Sequence, residues 1–217
     1  MRLRRKPWIE DAIKEYTKIV CLEDLSAHRG QWQQAFDQPA PLHVELGTGK
    51  GRFVTQMADV HQETNFIGIE VQLGVIYYAA QKAAALKLSN IRLLLFDISG
   101  LQDIFQPAEV DRFYLNFCDP WPKARHVKRR LTYRTFLAQY AALLKPGGQI
   151  HFKTDNRDLF DFSLEEMNAC HWTLSEVSYD LHHSEYTDNI MTEYEEKFST
   201  RGQPIFRCVA TKPNEVE

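Results

Sequence analysis

Three glycines at alternate positions, Gly47, Gly49 and Gly51, close the segment "ELGTGKG" directly behind an acid, Glu45. Glycines so placed permit a tight turn and let backbone come close to a ligand, beside the positive end of a following helix. The G-x-G-x-G spacing differs from the pyrophosphate-binding G-x-G-x-x-G and from the G-x-x-x-x-G-K-[ST] of a P-loop. Two more acids, Glu70 and Asp97, end apolar runs downstream. Glu70 suits the hydroxyls of a ribose, Asp97 an adenine amino group, and Glu45 an ammonium group. Such a set, with no lysine placed to neutralise phosphate, fits a nucleoside that carries none.

A second chemical stretch is "NFCDPWPKARHVKRRLT", residues 116–132. A carboxylate, Asp119, is followed by Pro120, Trp121 and Pro122. The prolines remove two backbone donors and fix φ, so the turn after Asp119 cannot collapse onto a site there. Trp121 is held between them, and an ordinary core tryptophan in a rigid turn is the competing reading. No acid lies between Asp119 and Asp155, while Lys123, Arg125, Lys128, Arg129, Arg130, Arg134, Lys145 and Lys153 bring +8. A charge run is commonly just a solvated face. This one follows Asp119 directly, where its charges can hold phosphates, contacts that position a polynucleotide without reading its sequence. Arg125, His126, Val127, Lys128, Arg129 and Arg130 are therefore the expected nucleic-acid contacts. The opening "MRLRRKPW" supplies Arg2, Arg4, Arg5 and Lys6 as a candidate arm toward the same partner.

These residues must be carried by regular elements. "PLHVELG" (41–47), "NFIGIEV" (65–71), "IRLLLFD" (91–97), "VDRFYLNFCD" (110–119) and "GQIHFKTDN" (148–156) read as strands, rich in β-branched and aromatic residues. Helical patterns separate them, at 51–60, 72–86, near 101–105 and at 133–144, where "KPGG" marks the stop. A helix over 158–170 and two strands, "TLSEVSYDL" and "PIFRCVATK", follow. Strand–helix alternation implies a mostly parallel sheet covered by helices on both faces, here with seven strands. Ligands of such sheets bind outside the carboxyl ends of the strands. Each of the first five strands delivers an acid there: Glu45, Glu70, Asp97, Asp119 and Asp155. Residues 1–40 show helical spacing around Ile13, Tyr16 and Ile19 and a short helix near Trp32 to Phe36.

The composition sets bounds. A chain of 217 residues, 44% hydrophobic and 25% charged, has the make-up of one globular domain. Its net charge of -3 gives no global argument for nucleic acid, so that argument rests on distribution alone. Four scattered cysteines, Cys21, Cys118, Cys170 and Cys208, form no CxxC or Cys/His pattern, which suggests reduced thiols and neither zinc nor disulfides. The acids of "WIEDAIKEY" interrupt any signal-peptide core, and no run of 18 apolar residues occurs, so a soluble, unexported protein is expected.

"ELGTGKG", "GIE", "LLLFD" and "LKPGG" resemble the motifs of class I S-adenosylmethionine-dependent methyltransferases. "YLNFCDPWPKARHVKRRL", "HFKTDN" and "MTEYEEKF" together resemble one family among them, the bacterial tRNA (guanine-N7)-methyltransferases, in order from about residue 42 to about residue 210. The resemblance implies a Rossmann-like α/β domain over 41–217 behind a basic, helical extension over 1–40. It implies S-adenosyl-L-methionine as cofactor, bound by Glu45, Gly47, Gly49, Gly51, Glu70, Asp97 and Asp119. It implies tRNA as partner, methylated at position 46 of the variable loop, in the cytoplasm, by a monomer or homodimer that uses no metal and no membrane. Lys123, Asp155 and the segment Thr192, Glu193, Tyr194, Glu195 are implied substrate contacts. Where this chain has Cys118 a family member often has serine, and the thiol is expected to pack behind the site.

Methyl transfer to guanine N7 removes no proton beforehand, because N7 carries an in-plane lone pair. The task is alignment plus stabilisation of positive charge arriving on the ring, which assigns Asp119 the catalytic role. Asp155 matches the N1 and N2 donors of guanine. Thr192-x-x-Glu195 is also the pattern of a capping box, so substrate contact and helix start both stand as readings. Against this enzyme stand a non-catalytic RNA-binding module, disfavoured by the intact glycines and acids, and a methyltransferase with another target. "DPWP" is not the Asn/Asp-Pro-Pro-aromatic turn associated with exocyclic amines, and a small-molecule enzyme has no use for +8.

Overall fold

Backbone groups inside an apolar interior must pair, and the apolar runs do so as strands. The computed structural model describes residues 6–22 and 24–213, so Arg2, Arg4 and Arg5 of the expected arm lie outside the described residues. The chain divides into two units, Met1–Gln106 and Pro107–Glu217.

The first unit begins with α1 (Ile9–Ala12) and single 3-10 turns at Ile13–Tyr16, Leu25–His28 and Trp32–Ala35. Between the turns lies β1 (Val20–Cys21), and then come β2 (Leu42–Leu46), α2 (Arg52–Val60), β3 (Asn65–Glu70), α3 (Leu73–Ala85), β4 (Ile91–Leu95) and α4 (Leu101–Ile104). The strands run parallel in the order β1-β4-β3-β2. Consecutive residues along β3 are buried, Phe66, Ile67 and Ile69 among them, as in a parallel strand covered on both faces. The early residues are fastened down from Lys6 onward. Trp8 and Tyr16 meet Tyr77 of α3 edge-on at 5.3 and 5.9 Å. Trp32 is fully buried and its indole donates to the Ile104 carbonyl at 2.7 Å.

The second unit holds β5 (Val110–Asn116), a 3-10 segment at Ala124–Arg129, α5 (Arg134–Leu143), β6 (Leu144–Thr154), α6 (Arg157–Ala169), β7 (Thr173–Ser178), α7 (Glu193–Ser199) and β8 (Phe206–Thr211). The order is β5-β6-β8-β7, with β5 and β6 parallel and β8 antiparallel to both neighbours. Pairing on β6 begins at Leu144 with Val110 and resumes at Gln149 with Arg112. The expected helix stop "KPGG" is thus a bulge inside the strand, with Gly147 at φ 74°.

Among the described residues there are eight strands where seven were expected. The additional one is β1, whose two residues show no alternation to read. The acids also lie differently. Glu45 is inside β2 and Glu70 ends β3, but β4 stops at Leu95 and β5 at Asn116, so Asp97 and Asp119 belong to the loops that follow.

Candidate active site

In the first unit β2 and β3 are paired in parallel register, which brings their carboxyl ends together. The glycine turn hangs between them: the amides of Gly47 and Thr48 both donate to the Ile69 carbonyl, at 3.0 and 2.9 Å. Glu45, 2% exposed, accepts from Thr48 Oγ1 at 2.6 Å. Its carboxylate therefore braces the turn from beneath. Glu70 Oε1 accepts the amides of Val71 and Gln72 at 2.9 and 3.0 Å, and Oε2 accepts Gly49 N–H at 3.1 Å. A carboxylate offers about four lone-pair sites, so one remains, on Oε2, where the sequence reading had both hydroxyls of a ribose accepted. Asp97 caps the turn that begins at Ile98: Oδ1 takes Ser99 N–H at 2.9 Å and its hydroxyl at 2.8 Å. Those bonds hold its carboxyl below the usual value of 3.8, so it is a standing acceptor. Among the described residues its Oδ2 accepts no bond.

All three glycines adopt positive φ, 81°, 58° and 81°, yet they serve two purposes. A Cβ built on Gly51 would lie 2.4 Å from Ala79 Cβ, whereas one on Gly47 or Gly49 meets nothing within 4 Å. Gly51 is glycine so that α3 can pack against the turn. Gly47 and Gly49 leave an open cradle beside Glu70, which fits a nucleoside laid against the backbone.

In the second unit parallel pairing puts the ends of β5 and β6 side by side. Asp119 is exposed, and among the described residues no donor or cation pairs with its carboxylate. Exposure to water spares it the desolvation cost that an unpaired carboxylate buried at a strand end would carry. The turn around it is nonetheless rigid. Phe117 and Trp121 have φ of 53° and 41°, conformations that cost of order 1–3 kcal/mol each outside glycine. Each is held from a different side: the Phe117 amide donates to the Lys153 carbonyl at 2.9 Å, and the Arg130 guanidinium donates to the carbonyls of Pro120 at 2.9 Å and Trp121 at 3.4 Å and lies 4.3 Å over the Phe162 ring. Burial, and next the charge of Asp119, push the Cys118 thiol up to about 12.

The basic stretch divides. Lys153 is buried against Glu195, Arg134 makes a two-point pair with Glu166, Lys145 reaches Asp111 at 2.7 Å, and Arg130 braces the turn. These four are engaged within the protein, and of them only Arg130 was among the expected nucleic-acid contacts. Lys123, Arg125, Lys128 and Arg129 are exposed and have no carboxylate partner among the described residues. Arg129 lies 5.0 Å over Trp121, and His126 meets the same ring at 5.6 Å and accepts from Arg125 Nε at 3.2 Å. Val127, half-buried, has no polar atom beyond its backbone to offer a phosphate.

Asp155, just past β6, accepts the Tyr194 hydroxyl at 3.0 Å and Gln203 Nε2 at 2.9 Å, both on Oδ2. Oδ1 accepts no bond among the described residues. Burial, then the bond to Asp155, raises the Tyr194 hydroxyl to about 12, so it is a donor at all ordinary pH. Thr192 caps α7, accepting Glu195 N–H at 3.0 Å. The reciprocal half of a capping box is missing, because Glu195 points inward: it is 0% exposed, with Lys153, Asn189 and His182 at 2.8, 2.6 and 3.1 Å from its oxygens. Of the implied substrate segment, Tyr194 is exposed, Thr192 and Glu193 are half-buried, and Glu195 is closed off. The sequence reading missed Thr48, Phe117, Gln203 and the structural Lys153. Thr48, Phe117 and Lys153 stand within the quoted motifs, while nothing marks Gln203.

A family model described as "Putative methyltransferase" matches residues 39–208. The chain is 50% identical over 213 residues, 98% of either chain, to the tRNA (guanine-N(7)-)-methyltransferase of Geobacillus kaustophilus. It is 49% identical over 208 residues, 96% of this chain and 97% of the other, to that of Bacillus subtilis. The chain belongs to the tRNA (guanine-N7)-methyltransferase family. Solved structures extend the likeness at the level of fold. An antibiotic-related methyltransferase superposes with a TM-score of 0.58 at 16% identity, over 99% of this chain and 97% of its own. The 16S rRNA methyltransferase KamB superposes with 0.61 at 13% identity, over 85% and 92%. The fold is thus the Rossmann-like α/β fold of class I methyltransferases.

Proposed function

We propose that this chain transfers a methyl group from S-adenosyl-L-methionine to N7 of a guanine in tRNA, at position 46 of the variable loop as the family resemblance implies. The observation that carries the reading is the open turn at Gly47 and Gly49 next to the oriented carboxylate of Glu70. Bound there, the cofactor supplies an electrophilic methyl on a cationic sulfur. Glu70 Oε2 accepts one ribose hydroxyl, Asp97 Oδ2 accepts the adenine amino group, and Gly47 and Gly49 admit the nucleoside by lacking side chains. Glu45 serves by keeping Thr48, and so the turn, in place.

Asp119 abstracts no proton, since N7 has none to lose. Its unneutralised carboxylate offsets the positive charge that arrives on the guanine ring, and its braced turn keeps it where that charge appears. Asp155 presents Oδ1 to the guanine N1–H and N2–H donors, with Oδ2 already occupied by Tyr194 and Gln203. Lys123, Arg125, Lys128 and Arg129 receive backbone phosphates, and Trp121 holds Arg129 ready for them. On this reading residues 41–217 are the methyltransferase domain and residues 1–40 its extension, in the cytoplasm where tRNA is matured. The chain acts as a monomer or a homodimer.

The test is methyl transfer from labelled cofactor to unmodified tRNA, followed by borohydride and aniline cleavage to locate the base. Cleavage at one variable-loop guanine is expected. Label on another atom or another loop refutes the assignment of target, and no transfer at all refutes the enzyme and favours the RNA-binding module.

A further inference from the structure

Lys153 is 6% exposed, and its ammonium lies 3.0 Å from Asn189 Oδ1, 3.0 Å from the Ile190 carbonyl and 2.8 Å from Glu195 Oε2. Three donors meet three acceptors, so this lysine has no charge to offer a phosphate. Glu195 is satisfied in turn by Asn189 Nδ2 at 2.6 Å and His182 Nε2 at 3.1 Å. A buried ion pair is seldom a net gain over apolar residues of the same shape. Stability alone therefore does not account for it.

Position does. The carbonyl of Lys153 accepts the Phe117 amide at 2.9 Å, which joins the end of β6 to the turn that leads to Asp119. Its ammonium grips the chain just before α7 and, through Glu195, the first turn of that helix. Glu195 is the neighbour of Tyr194, whose hydroxyl reaches Asp155 and whose ring lies 5.0 Å from that of Phe117. One buried side chain thus fixes the helix from which Tyr194 touches both carboxylate-bearing turns.

We propose that Lys153 is a positioning residue for the guanine, which latches α7 to β6 so that Tyr194 turns Asp155 Oδ1 toward the base. The inference rests on the reading of Asp155 as the guanine-holding carboxylate. Phosphate contacts set most of the affinity for tRNA, so loss of the latch acts on the chemical step.

The experiment uses the full chain and unmodified tRNA. Lys153→Met should lower kcat about tenfold or more, as misplaced reacting groups do, with KM for tRNA and affinity for S-adenosylmethionine within about twofold. Tyr194→Phe should lower kcat as well, and the double variant should be no worse than the worse single, the signature of residues acting through one another. Losses that multiply, or a reduced melting temperature with kcat intact, overturn the proposal. Should Lys153→Met not fold, Asn189→Ala, which keeps the ion pair but removes the bonds Asn189 makes to Lys153 and to Glu195, should lower kcat about threefold or more, the loss of two hydrogen bonds, and an unchanged kcat there overturns the proposal equally. Asp155→Asn separates the two readings. If it turns over normally, the guanine role of Asp155 fails and the proposal with it; if it loses turnover while Lys153→Met does not, only the latch fails.

Discussion

Asp119 sits exposed between two residues at positive φ, Phe117 and Trp121, without a counter-ion among the described residues. A carboxylate with no structural partner can be changed without harm to the fold. Asp119→Asn should therefore melt normally and bind S-adenosylmethionine normally while kcat falls by about 10²–10³, the scale of a lost electrostatic stabiliser. Near-normal kcat would remove the catalytic role. Neighbouring arginines should respond differently in stability. Arg129→Ala should weaken tRNA binding and leave the melting temperature alone, whereas Arg130→Ala, which strips donors from the Pro120 and Trp121 carbonyls, should lower the melting temperature too. Calorimetry beside filter binding distinguishes them. The Cys118 and Cys208 thiols, pushed up to about 12 by burial, should resist alkylation near neutral pH, because the thiolate is the reactive form.

The glycine turn and the α5–α6 pair show what single elements contribute. A methyl on Gly49 meets empty space and a methyl on Gly51 meets α3. Gly49→Ala should fold, with a modest loss from its positive φ of about 1–2 kcal/mol, and should lose cofactor affinity on titration calorimetry. Gly51→Ala should be destabilised further, by another 1–3 kcal/mol or so of overpacking, in the absence of any ligand. Equal loss of stability in both would mean that the cradle is ordinary packing. Glu166 of α6 accepts two side-chain bonds from Arg134 and the Arg134 amide at the start of α5. The Arg134 side chain, foremost, holds its carboxyl below the ordinary 4.5. A carboxylate lowered by folding contributes its stability fully above the ordinary value and loses it as pH falls through the folded one. Glu166→Gln should accordingly melt earlier than the parent at neutral pH, and the two should converge in acid, on thermal scans taken across that range.

Across the whole chain the net charge of -3 conceals a segment of +8, and the structure commits half of that segment to internal partners. Four exposed cations remain at Lys123, Arg125, Lys128 and Arg129. Each phosphate contact contributes somewhat under one unit to the slope of log affinity against log salt. Neutralising these four should flatten the slope by about three units, and neutralising Lys145 and Arg134 should leave it unchanged. Equal slopes for both sets would place the RNA elsewhere. The transfer assay proposed above tests the chain as a whole.

What the sequence determined was whatever depends on neighbours along the chain. Parallel strands buried on both faces are written as unbroken apolar runs, so β2 to β6 and their helices could be read within a few residues. The glycine turn, Asp119 with its prolines, and Asp155 announce themselves by residue type and spacing. Only the tertiary structure decided which charges are spent on the fold, because the partners lie far off in sequence: Glu166 for Arg134, Glu195 for Lys153, Asp111 for Lys145. It also decided that Glu195 is sealed while Tyr194 is open, and that Gln203 belongs beside Asp155. A charge shows its type in the sequence, but its free energy depends on burial and on what stands within about 3 Å of it, and those are set when distant segments meet.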